Sequence, residues 1–250
     1  MSAPANASAV KPMTTVRNAK FEFTGETKDY FGITLHRIRA VAAIVALGVA
    51  VGDLGGWVEK EDNLSVSGDA WVYGNAQVSG DASVSGNAWV SGDAWVSGDA
   101  WVSGDARVSG NARVYGNARV YGNAQVSGDA SVSGNAWVSG DAWVYGDAWG
   151  YGDARVSGDA LVYGNAWVYG VNITATRTDG YTFLVAPTPD GPRIIAGCRY
   201  FTFDEAEAHW SKTRGGTKLG DETSSIIAHL KRMAELNGFM EPCAPDEVAA

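Results

Sequence analysis

Six side chains between residues 177 and 218 offer this chain's best prospect of chemistry: Arg177, Tyr181, Arg199, His209, Arg214 and Lys218. Arg214-Gly-Gly-Thr-Lys218 stands ahead of a helix. Backbone N–H groups and a basic side chain in that setting suit a phosphate or a nucleotide. The run lacks Walker A spacing, and a solvated glycine loop is the plainer expectation. His209 beside Trp210 reads as a packed surface pair. No nucleophile–His–acid arrangement and no metal-ligand spacing can be defended, so no catalytic residue, metal or cofactor is expected.

A second set of residues suggests contact rather than reaction. Trp71, Trp89, Trp95, Trp101, Trp137, Trp143, Trp149 and Trp167 each precede position 72, 90, 96 or an equivalent point of one repeating unit, and Arg107, Arg113, Arg119 and Arg155 occupy the same place in other units. Eight outward tryptophans are costly on a lone monomer and tend to mark interfaces. Aromatic and arginine ladders that merely stabilise stacked strands are the competing expectation.

The unit that positions them is Val-(Ser/Tyr)-Gly-(Asp/Asn)-Ala-x, repeated from Ser65 to Gly170 without insertion. Val66 to Val168 keep one register over eighteen units, and only Gly150 breaks the column. A strict hexapeptide period predicts a parallel β-helix. Valine favours extended backbone, and its neighbours on a strand point the other way. Valine inward therefore places x and Ser/Tyr outward. Gly-Asp and Gly-Asn turn the corners, since all three residue types tolerate positive φ. Three units close an 18-residue coil, giving six coils with seventeen valines in three internal columns. Residues eighteen apart then stack: Trp71 on Trp89, Trp149 on Trp167, Tyr145 on Tyr163 and Tyr151 on Tyr169.

The Val-x-Gly-Asp/Asn-Ala-x pattern resembles the hexapeptide-repeat proteins that form left-handed parallel β-helices. Leu35–Ala40, Gly52-Asp-Leu-Gly-Gly-Trp-Val-Glu59 and Glu61–Ser65 narrow the resemblance to bacterial YdcK-type proteins, which also occur in phages. It implies left-handedness, assembly as a parallel trimer, and a family often described as acyltransferases or polymer-forming proteins. Fold alone does not imply such an activity. Hexapeptide acyltransferases generally carry a catalytic His and a projecting loop, and the array has no His, Cys, Lys or Pro.

The flanks divide the rest. Residues 1–20 read as a disordered tail and 242–250 as a loose one. Residues 21–64 form an N-terminal β cap, with strands at Phe21–Phe23 and Tyr30–Arg39 and a buried strand over Ala40–Val51. Residues 65–172 are the array, and 173–241 a small α+β module. That module has a hairpin over Ile173–Arg177 and Tyr181–Ala186, strands at Arg193–Ala196 and Cys198–Phe201, and a capping box at Thr202–Glu205 opening a helix to about Thr213. A second helix starts at Asp221 and ends at Asn237-Gly238.

Net charge is −9, and the array carries ten Asp but only four Arg. Direct nucleic-acid binding is therefore not expected. Cys198, expected buried, and Cys243 form no disulfide framework and suit a cytoplasmic setting. No stretch spans a membrane, Ala40–Val51 being too short. The sequence thus predicts a mainly β, non-enzymatic, self-associating scaffold or binding protein of phage origin, with a trimer favoured and a host protein or a nucleotide as the alternative partners. The alternatives are an acyl- or nucleotide-dependent transferase, and an inhibitor of a host protein acting as an acidic DNA mimic or by sequestering a nucleotide signal.

Overall fold

In the computed structural model, which describes residues 19–158, 160–169, 173–188 and 190–241, each repeat supplies a strand of two or three residues. The expected tails fall largely, and Cys243 wholly, outside the described residues. Seventeen such strands, β4 (Trp71–Val72) to β20 (Trp167–Tyr169), carry the valines inward and the preceding residue outward. Each of β4 to β17 pairs in parallel with the strand eighteen residues on, as Trp101-Val102 does with Arg119-Val120 and that pair with Trp137-Val138. Three parallel sheets result, the faces of a β-solenoid of about six turns. The first face carries the column Val78–Val96–Val114–Val132–Gly150–Val168, the second begins at Val72 and the third at Val84.

Backbone groups bind coil to coil. The N–H groups of Trp101, Ser103 and Asp105 donate to the carbonyls of Ala118, Val120 and Gly122, each at 2.9 Å. The corner must match that closeness. Gly104 has φ 68°, and a Cβ there would stand 2.9 Å from the nitrogen of Gly122 and 3.0 Å from its carbonyl oxygen. Only glycine meets both demands. Among the described corners glycine alone takes positive φ, so the expectation that Asp and Asn share this role is corrected. Their side chains join coils instead. The amides of Asn87, Asn111 and Asn123 donate to the carboxylates of Asp105, Asp129 and Asp141 at 2.8–2.9 Å.

The stack begins one rung earlier than the expected boundary at 65. In β3 (Leu54–Val58), Trp57-Val58 pairs in parallel with Gln77-Val78, and Leu64 bridges Val84. The inward series thus runs Val58, Leu64, Val72, with two extra residues between the last two. Val66 falls in that surplus and is 58% exposed, so sixteen array valines, not seventeen, are buried.

The caps differ from expectation in detail. β1 (Phe21–Tyr30) and β2 (Ile33–Ala40) form a longer hairpin than foreseen, turning at Phe31-Gly32 and continuing the first face through β3. Beyond Ala40, the residues up to Val51 are not a buried strand. They form a loop closed by an Ile44–Val49 bridge around a 3-10 turn, with Val45 and Val51 exposed. Left-handed Gly48 reverses the chain there, and an apolar run alone does not reveal such a reversal. At the other end β21 (Ile173–Thr176), β22 (Thr182–Ala186), β23 (Arg193–Ala196) and β24 (Arg199–Phe201) make an antiparallel sheet packed by α1 (Phe203–Arg214) and α2 (Lys218–Leu236). The Thr202–Glu205 capping box forms as expected. α2 starts at Lys218 rather than Asp221 because Thr217 caps it, its hydroxyl accepting from the Gly220 N–H at 3.1 Å. Cys198 is exposed, not buried, since it sits in the turn between β23 and β24 beside left-handed Gly197. Among the described residues no helix is long and apolar enough to cross a membrane.

Two glycines separate the roles of backbone and side chain. Gly104→Ala should lower stability by about 1–2 kcal/mol from left-handed strain alone, with more from the crowded coil below it. Gly150 has ordinary φ, is buried, and a Cβ there meets nothing within 4 Å. Gly150→Val should therefore raise stability by roughly 1–2 kcal/mol. Thermal denaturation of both variants checks the opposite signs.

Candidate functional site

The outward residues of the three faces are not equivalent, because the caps cover two of them in part. Trp71 is fully buried beneath Gly55, where a Cβ would stand 2.8 Å from the indole. Trp167 is 6% exposed, and its backbone N–H donates to the Pro187 carbonyl of the C-terminal module. Trp95 packs against Tyr30 and Phe31 of the β1–β2 turn. Trp89 lies against Tyr73. The expectation of eight outward, exposed tryptophans is thus corrected: Trp101, Trp143 and Trp149 are exposed, while Trp89, Trp95 and Trp137 are half-buried. Trp149 stacks on Trp167 at 5.9 Å and Tyr145 on Tyr163 at 5.2 Å, as the period requires. Tyr151 and Tyr169 pair in register.

The third face is built differently. Its sheet, like that of the second face, holds only array strands among the described residues, and what sets it apart is its outward column. Its outward column reads Ser83, Trp101, Arg119, Trp137, Arg155. The Arg119 guanidinium lies 5.9 Å from the Trp101 ring and 5.3 Å from that of Trp137, and Arg155 lies 5.1 Å from Trp137. Each cation–π contact at an exposed site contributes about 0.5–1 kcal/mol. Neither arginine forms an ion pair among the described residues. Sequence reasoning noted the mixture of Trp and Arg but not this alternation. Reading every eighteenth residue from Trp101 would have found it.

At the N-terminal end of the same face the small Ser83 leaves an open cleft of about 720 Å³. Glu61, Asp62, Asp81, Asp99, Val66 and Trp101 line it, with Arg119 at its far side. Lys60 donates to Asp81, which holds that carboxyl below its usual range, while Glu61, Asp62 and Asp99 have no ion-pair partner among the described residues. Elsewhere the Asp corners form no continuous acidic line, since Asp69, Asn87, Asp105, Asn123 and Asp141 alternate along one edge.

The C-terminal residues are largely engaged in the module itself. Arg177 is buried, forks onto the Asp179 carboxylate at 2.9 and 2.7 Å, and donates to the Thr223 hydroxyl at 2.9 Å. Tyr181 donates to the Ala196 carbonyl at 2.6 Å. His209 packs its ring against Phe201 and Trp210. Lys218 sits 3.8 Å from Glu222, whose carboxylate also accepts from the Thr178 hydroxyl. Arg199 and Arg214 are exposed. The shallow cleft beside α2 is lined by Asp221 and Glu222 as well as Arg177 and Lys218, a mixed charge ill-suited to a phosphate. No group of three or more His, Cys, Asp or Glu suited to a metal ion occurs among the described residues.

With the geometry in place, comparison with known families finds the YdcK beta solenoid repeat, matched at residues 76–92, 106–122, 112–128, 124–140 and 154–170. All five matches lie inside the array, and each is about one coil long. No curated protein matches the chain.

The Arg177 fork sets a pH dependence. Its hydrogen bonds hold the Asp179 carboxyl down to about 2, against an ordinary 3.8. A carboxylate depressed in the folded state contributes stability that is present above its unfolded value and lost as pH falls through the folded one. The module should therefore loosen between pH about 4 and 2. Trp210 fluorescence during acid titration reads this, and Asp179→Asn should flatten that part of the curve.

Proposed function

We propose that this chain, a YdcK-like repeat β-solenoid, is a non-catalytic scaffold that associates with copies of itself through its uncovered array surface. The observation that carries this reading is the outward column Trp101–Arg119–Trp137–Arg155, exposed apart from the half-buried Trp137, two aromatic rings and two guanidinium groups on a face that no cap strand joins. Exposed Trp and Arg are the residue types most enriched at interface centres. The array offers contact surface and little else, because its inward side is valine and alanine and its corners are glycine with Asp or Asn. The family resemblance adds a trimer as one arrangement and a phage or prophage source with work in a bacterial cytoplasm.

The rival readings have weaker support. A transferase needs a base near an acyl or nucleotide site, and His209 is packed between two aromatic rings. A DNA mimic needs carboxylates in a continuous line, whereas Asn amides interrupt the Asp column. Nucleotide capture by the Arg214–Lys218 loop would compete with Glu222 for Lys218.

Native mass spectrometry of the full chain purified from cells tests the reading, since it reports subunit count and retained small molecules together. The expected result is an empty assembly of two or more chains. A monomer at micromolar concentration would overturn self-association. An assembly holding a few hundred daltons of extra mass per chain would favour nucleotide capture instead.

A further inference from the structure

We propose that the third face pairs with the same face of a second copy in antiparallel fashion, about a two-fold axis between Arg119 and Trp137, so that every guanidinium of the column meets an indole of its partner. The inference rests on the self-association reading and specifies its geometry.

The argument comes from the order of the column. Trp101, Arg119, Trp137 and Arg155 occupy four successive rungs of one sheet. Reversed, the series reads Arg, Trp, Arg, Trp. An in-plane two-fold perpendicular to the solenoid axis keeps a column opposite itself and reverses its direction. Centred between the middle rungs, it sets Trp101 against Arg155 of the second copy and Arg119 against its Trp137, and the same contacts recur by symmetry. No Arg meets Arg and no Trp is left without a cation. An axis centred on Arg119 itself would instead oppose two guanidinium groups. A two-fold parallel to the solenoid would set the column against Ser103, Tyr121, Ser139 and Ser157 of the same face, where Arg155 meets only Ser157.

Charge complementarity points to the same occupant. On this register the incoming Arg155 arrives over Trp101, at the mouth of the cleft that Asp99, Asp81, Glu61 and Asp62 line. Three of those four carboxylates form no ion pair among the described residues, and neither do Arg119 and Arg155. The cleft is open because Ser83 stands where the alternation would otherwise continue. The middle rungs carry neutral corners on the near edge, Asn117 and Asn135, which hydrogen-bond to each other at 3.2 Å. Like charges are thus kept from the centre of the pairing. Stacked rungs about 4.8 Å apart in both copies keep the four contacts in phase. Two-fold closure consumes the column and leaves no free end to propagate.

Two measurements on the full chain test the pairing. The first exchanges two column residues without changing composition. Trp137→Arg with Arg155→Trp makes the order Trp, Arg, Arg, Trp, which under the same two-fold opposes Arg to Arg. Sedimentation should show wild-type protein at twice the 26.2 kDa chain mass and the exchanged variant at the chain mass, with unchanged circular dichroism. The second does not depend on that variant folding. In a Cys198→Ser, Cys243→Ser background, Ser103→Cys chains mixed with Ser157→Cys chains should form disulfide-linked pairs on mild oxidation. Mixing Ser103→Cys with Ser139→Cys chains, one rung out of register, should link more slowly. Fast linkage of the out-of-register mixture, or an assembly that persists without any 103–157 link, overturns the antiparallel pairing while leaving self-association standing. A wild-type chain that stays monomeric overturns both.

Discussion

Everything in this molecule depends on how closely one coil lies on the next. The backbone ladder sets that distance, and at the corners it leaves no space for a side chain. A Cβ at Gly104 would press on the nitrogen and carbonyl oxygen of Gly122, and the same crowding recurs at Gly110 and Gly116. Period, glycine placement and the inward valines follow from this one constraint. An insertion inside the array would lift a whole coil off its neighbour. The single two-residue surplus accordingly occurs at the first corner, beyond Leu64, where it expels Val66 without disturbing a stacked pair below.

Such a frame leaves the outward positions as the place where the chain is free to vary. There the solenoid converts distance in sequence into adjacency in space, since residues eighteen apart become neighbours. The Trp–Arg alternation of the third face is a consequence, as is the Asn-to-Asp ladder at the corners. Both satisfy groups within the coil stack. The alternation also leaves indole and guanidinium surface in water, which the corner ladder does not. The ends have a different task. The N-terminal cap, through β3, and the C-terminal module each cover a tryptophan that would otherwise terminate a face in water, Trp71 at one end and Trp167 at the other. The polar residues of the module are used in building that cover. Arg177 holds Asp179 and Thr223, and Tyr181 ties to Ala196.

The array was legible in the sequence because a repeat makes the same local statement many times, and stacking needs no information beyond the period. The helix α1 was legible for a similar reason, its capping box being a local signal. The cap loop after Ala40 was not. An apolar run that turns back on itself through Gly48 carries the same composition as a strand, and the difference lies in what it packs against. Cys198 and the start of α2 were misplaced by one to three residues, the usual consequence of a turn glycine and a threonine cap shifting an element end.

The sequence by itself determined the parallel coil, its three valine columns and the stacking partners of the array from Trp71 onward, because those follow from a fixed period and from the residue types that tolerate its corners. Tertiary structure alone decided which tryptophans reach solvent, where the first coil begins, and that Arg177 serves the C-terminal module's own packing. Those outcomes depend on what the non-repeating segments cover, and a segment without a period does not state its neighbours in advance.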